Sequence, residues 1–310
     1  MSNTAEERIL VVKLGALGDF VQAFAPFQAI REHHPSSHIT LLTMPAFSAL
    51  GNATGWFDAV WIDSRPEWWR FGTRHKLRKF FNQGGFKRVY DLQTSKRSSS
   101  FYRSFKRPRP EWSGIANGCS HPHSNPDRNF MHTIERQAEQ LTMAGVRPVL
   151  APDLSWFDAD TTRFRLEDEY FLIVPGGAAH RPEKRWPVKR YIQLANDLVA
   201  WGRIPVLLGG EEERDVLDAI ARECRQARNL GRRTNIFDIA GLARLAIGAI
   251  GNDTGPMHII SAVGCPSVVL YSHASNPDLC GQRGLSVKIL RRAALEGLAV
   301  AEVEAALQCR

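Results

Sequence analysis

The sequence predicts an α/β protein made of two doubly wound domains. Short apolar runs of strand length alternate with helix-length segments in both halves, the pattern of βαβ units and parallel sheets. Several of these runs end in glycine-bearing turns that open a helix, where open α/β sheets take their ligands. Between the halves, Val146 to Asp168 is rich in Pro, Asp and Thr and follows no clean period. The expected division is therefore an N-terminal domain over 1–150, a linker over 151–167 and a C-terminal domain over 168–310. The two domains are expected to face a cleft at the carboxyl ends of their strands, with Ala293 to Gln308 as a closing helix.

The strand-like runs of the first half are Ile9–Val12, Ile39–Thr43, Ala59–Ile62 and Val89–Leu92. Those of the second are Phe171–Val174, Pro205–Leu208, Ala246–Ile250 and Ser267–Tyr271. Ile9–Val12 is uninterrupted and apolar, as a central parallel strand requires. It runs into Lys13-Leu14-Gly15-Ala16-Leu17-Gly18-Asp19 and then a helical pattern from Phe20 to Arg31 that contains Pro26. Two glycines let such a turn bend sharply and let a ligand approach the backbone. The spacing lacks the third glycine of the dinucleotide fingerprint, and Lys13 precedes the glycines instead of following them as in a GKS/T loop. Asp19 at the mouth of this turn would repel a phosphate. It reads either as a helix cap or as a general base that takes a proton from an attacking hydroxyl.

The 310 residues, 44% hydrophobic and 23% charged, suffice for two ordinary cores. A net charge of +8 and a pI of about 9.5 favour an anionic partner. No apolar run reaches membrane-spanning length, and the polar, acidic start does not read as a secretory signal. A soluble cytoplasmic protein is expected. The five scattered cysteines, without a CxxC pair, fit free thiols in a reducing compartment. Cys119, His121 and His123 alternate, but in a Ser-, Asn- and Pro-rich stretch that reads as a surface loop more readily than as a metal site. Asp158-Ala159-Asp160 spells DxD yet falls in the linker, where capping is the simpler reading.

From Arg65 to Arg109 there are fourteen Lys and Arg against Glu67 and Asp91 alone, a net of +12. Trp68, Trp69, Phe71, Phe80, Phe81, Phe101 and Tyr102 are interleaved with them. A nucleic-acid surface, an anionic membrane surface and a pocket for an acidic substrate all fit this excess, and a merely solvated face is the bland alternative.

In the second half, Val174-Pro175-Gly176-Gly177-Ala178-Ala179 ends a strand in a glycine turn, and Lys184-Arg185-Trp186-Pro187 soon follows. Lys184 there offers a point charge to a diphosphate or is an ordinary surface lysine. Gly209-Gly210-Glu211-Glu212-Glu213 offers a carboxylate to ribose hydroxyls, or simply acids suited to a helix dipole. Gly251-Asn252-Asp253-Thr254-Gly255-Pro256-Met257-His258 reads as a strand end, a polar turn capped by Asp253 or Thr254, and a helix with Pro in its first turn. Such a helix start suits a diphosphate or sugar hydroxyls.

Taken in order, these motifs resemble glycosyltransferase family 9, the ADP-heptose:lipopolysaccharide heptosyltransferases. The likeness rests on Lys13-x-Gly-x-x-Gly-Asp19, Asp91-Leu92-Gln93 with Arg97, Pro175-Gly176-Gly177, Lys184-Arg185-Trp186-Pro187, Gly209-Gly210 with its acids, and Asn252 to His258. The resemblance implies a GT-B fold and an inverting, metal-independent transfer without a cofactor. It implies an ADP-sugar donor on the C-terminal domain and an anionic lipopolysaccharide-core acceptor on the N-terminal one. Asp19 would be the base. Lys184, Glu211, Asp253, Thr254, Gly255 and His258 would meet the donor, the run of three acids leaving the ribose contact open among them. Gly15, Gly18 and Arg97 would meet the acceptor, with peripheral contact to an anionic membrane and no nucleic acid. After Leu270 the chain departs from the family's Gly-Pro-Thr-type loop, reading Tyr271-Ser272-His273-Ala274-Ser275-Asn276-Pro277. The rivals are a nucleotide-sugar epimerase of the same fold and a nucleic-acid-binding Rossmann-like protein.

Overall fold

The computed structural model describes residues 6–63, 71–166, 168–177 and 181–308, with 71–74 and 308 by backbone alone. Arg65, Glu67, Trp68, Trp69, Arg70, Ala178, Ala179 and Cys309 lie outside the described residues. The chain divides into two compact units, Met1–Trp156 and Phe157–Arg310.

The first unit runs β1 (Arg8–Val12), α1 (Leu17–Val21), α2 (Phe24–His33), β2 (His38–Thr43), α3 (Ser48–Ala53), β3 (Ala59–Ile62), α4 (Phe71–Gln83), β4 (Arg88–Asp91), α5 (Lys96–Phe101), β5 (Glu111–Gly114), β6 (His121–Pro122) and α6 (Thr133–Met143). Its six strands are all parallel, in the order β3-β2-β1-β4-β5-β6. Ile9 to Val12 are fully buried, because helices cover both faces of a central parallel strand.

The helix expected from Phe20 to Arg31 is two helices, broken at Gln22 and Ala23. Pro26 explains the break: it has no N–H for the Gln22 carbonyl, and its ring crowds that oxygen. The Gln22 carbonyl accepts instead from Gln137 Nε2 of α6 at 3.4 Å. His121–Pro122, expected in a loop, is a two-residue edge strand. Of the aromatics expected on a basic surface, Phe80, Phe81 and Phe101 are core and pack with Phe105 and Trp112.

The second unit runs β7 (Tyr170–Val174), α7 (Val188–Ala200), β8 (Ile204–Leu207), α8 (Arg214–Glu223), β9 (Arg228–Asn229), α9 (Ile236–Leu245), β10 (Gly248–Asn252), α10 (Gly255–Ala262), β11 (Ser267–Tyr271), α11 (Pro277–Cys280), β12 (Val287–Arg291) and α12 (Val300–Gln308). Its parallel sheet is ordered β12-β11-β10-β7-β8-β9. Counted from each unit's own first strand, both sheets read 3-2-1-4-5-6. The order therefore reverses between β1 and β4 in one unit and between β7 and β10 in the other, and open α/β sheets take ligands beyond the strand ends at that switch. The closing helix is shorter than expected and starts at Val300. Gly297 ends a preceding 3₁₀ turn, while Leu295, Leu298 and Val303 still pack into the core.

Phe157 and Phe164, in the stretch expected as a linker, are buried within the second unit. Asp158 and Asp160 accept from the amides of Ala159 and Thr162, at 2.8 and 2.9 Å. Both carboxylates of the DxD spelling thus cap local turns. Cys119, Cys224, Cys265 and Cys280 are free thiols. No helix among the described residues is long and apolar enough to cross a membrane.

Candidate active site

At the first switch point, Lys13 and Leu14 follow the end of β1, and β4 ends in Asp91. The two loops are stitched together: Lys13 Nζ donates to the Leu92 carbonyl at 3.2 Å, and the Leu14 amide to Gln93 Oε1 at 2.8 Å. Asp91 Oδ1 accepts from the amides of Gln93 and Thr94 at 3.2 and 3.0 Å, which holds Thr94 in the left-handed region at φ 42°. Burial pushes the Asp91 carboxyl up to about 7, against the pull of the Thr94 and Gln93 amides and the Lys13 charge. Burial likewise takes Lys13 down to about 8, against the attraction of Asp19 and Asp91.

Gly15 has φ +123°, and a Cβ on it would lie 2.4 Å from the Phe47 ring, so only glycine fits this turn. Asp19 is the third residue of α1, and its Oδ2 accepts from the Ala16 amide at 3.3 Å. The cap reading of Asp19 is thus present in weak form, and it leaves the carboxylate half exposed. Arg97, on α5, is taken up by the buried Asp63 at the end of β3: Nε lies 3.0 Å from Oδ2 and Nη2 2.6 Å from Oδ1. Arg88 and Lys87 pair with Glu111 and Glu7. Lys76, Arg78, Lys79, Arg103, Lys106 and Arg107 are exposed.

The metal reading of Cys119, His121 and His123 dissolves into separate partners. Cys119 Sγ faces the Gly114 carbonyl, His121 Nδ1 lies 2.9 Å from Ser120 Oγ, and His123 Nε2 lies 2.8 Å from Glu139.

At the second switch point the turn after β7 and the turn after β10 are joined by Asn252, which is fully buried. Its Nδ2 donates to the carbonyls of Pro175 and Gly176 at 2.9 and 2.8 Å. Its Oδ1 accepts from the Trp186 amide at 3.1 Å and the Tyr191 hydroxyl at 2.9 Å. The close approach is possible because Gly251 carries no Cβ, which would meet Met257 Sδ and Val174 at 2.8 Å. Asn252 opens the motif that carries the family resemblance but was not among the expected site residues, because its role is to join two turns and not to meet a ligand. Asn252→Ala should strand these four partners and lower the unfolding free energy by about 3–5 kcal/mol, measurable by urea denaturation.

Beside it, Lys184 Nζ and Asp253 Oδ2 form an ion pair at 2.6 Å, partly shielded from solvent. Burial works to raise the Asp253 carboxyl, but donors from Lys184, Ser275 and Tyr271 outweigh it and hold it below the usual carboxylate range. Asp253 therefore does not cap α10. Thr254 occupies the capping position, but its hydroxyl makes no capping bond and is buried without a partner. Gly255 and Pro256 form the first two residues of α10, and His258 is buried within it. Of the three acids after β8, Glu213 Oε2 caps the Gly210 amide at 2.9 Å and Glu211 pairs with Arg232 at 2.7 Å. The structure thus brings Lys184, Asp253, Thr254 and Gly255 together, while Glu211 and His258 have their own surroundings.

The model of glycosyltransferase family 9 (heptosyltransferase) matches residues 74–297. The chain belongs to glycosyltransferase family 9. It is a glycosyltransferase of the heptosyltransferase type with the GT-B fold. Lipopolysaccharide heptosyltransferase 2 of Escherichia coli K12 is 24% identical over 92% of this chain and 88% of its own length. The family 9 structure from Veillonella parvula superposes with a TM-score of 0.83 at 20% identity, covering 97% of each chain. E. coli heptosyltransferase WaaC with ADP gives 0.77 at 17% identity over 96% of this chain and 98% of its own.

Proposed function

We propose that this family 9 enzyme moves a heptose from ADP-heptose to the inner core of lipopolysaccharide, with inversion and without a metal. The reading gives the acceptor to the first unit and the nucleotide sugar to the second. Its main support is the second switch point, where a lysine, a helix start and a buried hydroxyl without a partner converge on one turn. That is the equipment a departing diphosphate needs. The similar WaaC structures, with ADP and with ADP-2-deoxy-2-fluoro heptose, support an adenine nucleotide sugar.

In this mechanism Asp19 takes the proton of an acceptor hydroxyl. The freed oxygen attacks the anomeric carbon from the face opposite ADP, and the bond from that carbon to the diphosphate oxygen breaks. Positive charge spreads over the anomeric carbon and ring oxygen in the transition state, as in other glycosyl transfers. ADP departs with the bonding electrons and needs no proton, because Lys184 and the α10 start meet its growing charge. These fixed groups do what a bridging cation does elsewhere. Thr254 and Gly255 would contact the diphosphate, Glu211 the ribose, and Asp253 and His258 the sugar side of the donor. Gly15 and Gly18 would allow the acceptor close to Asp19.

Arg97 would serve the acceptor less directly than expected, since Asp63 already claims its guanidinium. The exposed cations of α4 and the 103–107 segment suit an anionic glycolipid and the membrane surface that carries it. Such an enzyme would work in the cytoplasm, at the inner face of that membrane.

Transfer onto purified truncated lipopolysaccharide core tests this. ADP-heptose should serve as donor with EDTA present, and UDP- and GDP-sugars should not. Transfer only from another nucleotide sugar, or transfer abolished by EDTA and restored by a divalent cation, would overturn the donor or the metal independence respectively.

A further inference from the structure

The Asp253 carboxylate is fully subscribed. Oδ1 accepts from the Tyr271 hydroxyl at 2.9 Å and from Gln282 Nε2 at 3.2 Å, while Oδ2 accepts from Lys184 Nζ at 2.6 Å and from Ser275 Oγ at 2.8 Å. A carboxylate has about four acceptor positions, and all are used, so a sugar hydroxyl must displace one of these donors to reach it. Three of the four donors come from one stretch of chain: the end of β11, the loop after it, and the residue beyond Gly281. The register explains the convergence, since Asn252 pairs with Leu270 and the Asp253 amide donates to the Leu270 carbonyl at 3.2 Å. Tyr271 is fully buried and Gln282 nearly so. The Tyr271 hydroxyl also lies 2.8 Å from Gln282 Oε1, so its single proton is shared between that oxygen and Asp253. This stretch begins where the sequence departs from the family's loop.

We propose that Tyr271, Ser275 and Gln282 are positioning residues of the donor site. They fix the Asp253 carboxylate, and through it the Lys184 ammonium, beside the start of α10. The proposal rests on the donor reading above and adds to it the loop that sets the lysine. A free lysine side chain must be ordered on binding, and a lysine already held in place avoids that cost. Loosening Asp253, by removing the Tyr271 hydroxyl, lets Lys184 wander. Removing Ser275 instead leaves Oδ2 to Lys184 alone, so the ion pair tightens and the ammonium is less available to a diphosphate. Both changes weaken recognition of the diphosphate and spare the nucleoside end.

The experiment is calorimetric titration of AMP, ADP and ADP-heptose into the wild type, Tyr271→Phe, Ser275→Ala, Ser275→Thr and Gln282→Met. The expected result is that Tyr271→Phe, Ser275→Ala and Gln282→Met bind ADP and ADP-heptose about fivefold or more weakly, and bind AMP as the wild type does. Ser275→Thr, which keeps the hydroxyl, should bind all three normally. Unchanged ADP binding in Tyr271→Phe and Ser275→Ala overturns the proposal. So does a parallel loss for all three nucleotides, which marks a merely structural role. A wild type that binds neither ADP nor ADP-heptose refutes the donor reading itself, and the positioning role falls with it.

Discussion

Asp19→Asn should lower kcat for heptosyl transfer by about a thousandfold while leaving the affinity for ADP-heptose unchanged, since general-base catalysis contributes roughly 10²–10⁴. Asparagine is the informative substitution because it keeps the shape of the side chain and an oxygen for the Ala16 amide. The start of α1 then survives, and what is lost is the capacity to take a proton. Asp19→Ala removes both, and the additional cost is small, about 0.5–1 kcal/mol for a partly exposed cap. Single-turnover transfer, with donor binding measured in parallel, separates the two roles. If both variants transfer at the wild-type rate, Asp19 is a helix cap and the base lies elsewhere. The surroundings argue that a carboxylate is wanted here: Lys13 is buried nearby, and the Asp19 charge works against the burial that takes this lysine down to about 8.

The fold was legible where burial leaves the chain little choice. The eight runs read as strands are strands, within a residue or two, because strands covered on both faces must be continuous and apolar. The strands that escaped are Glu111–Gly114, His121–Pro122, Arg228–Asn229 and Val287–Arg291. They lie toward the outer edges of the sheets, and two are only two residues long, so they carry little of the apolar signal. At the site, the motifs showed where backbone turns and chemistry-bearing side chains lie along the chain. They did not show which partner each side chain takes. Arg97 finds Asp63, Glu211 finds Arg232, and Asp253 finds Tyr271, Ser275 and Gln282, all through contacts distant in sequence. The +12 segment misled in part for the same reason. Among its described aromatics, Phe80, Phe81 and Phe101 alternate with cations because one face of α4 and α5 enters the core.

Lys184→Met should cut kcat by about a hundredfold or more, and it should do so in a way that exposes the ion pair's second duty. In the transition state the diphosphate gains charge as the glycosidic bond lengthens, and a fixed cation there contributes about 3–4 kcal/mol that a thioether cannot replace. Lys184→Arg keeps the charge but not a compact ammonium at 2.6 Å from Asp253, so it should restore the rate only in part. The same substitution acts on stability. In the wild type the Asp253 carboxyl is held below its ordinary range, so the pair's stabilisation is present above the carboxylate's unfolded pKa and is lost as pH falls through the lower folded one. Without Lys184, burial acts on Asp253 with only neutral donors opposing it, and its folded pKa moves up. The deficit of Lys184→Met against the wild type should therefore be about 1–3 kcal/mol at neutral pH, a range below that of a fully buried pair because this one keeps some solvent. It should shrink steadily as pH falls through and below the ordinary carboxylate range and both proteins take up the proton. Urea unfolding across that range reads it directly. A deficit that stays constant with pH would mean that Lys184 supports the fold through its packing and not through Asp253, and a variant that transfers at full rate would remove it from the leaving-group site.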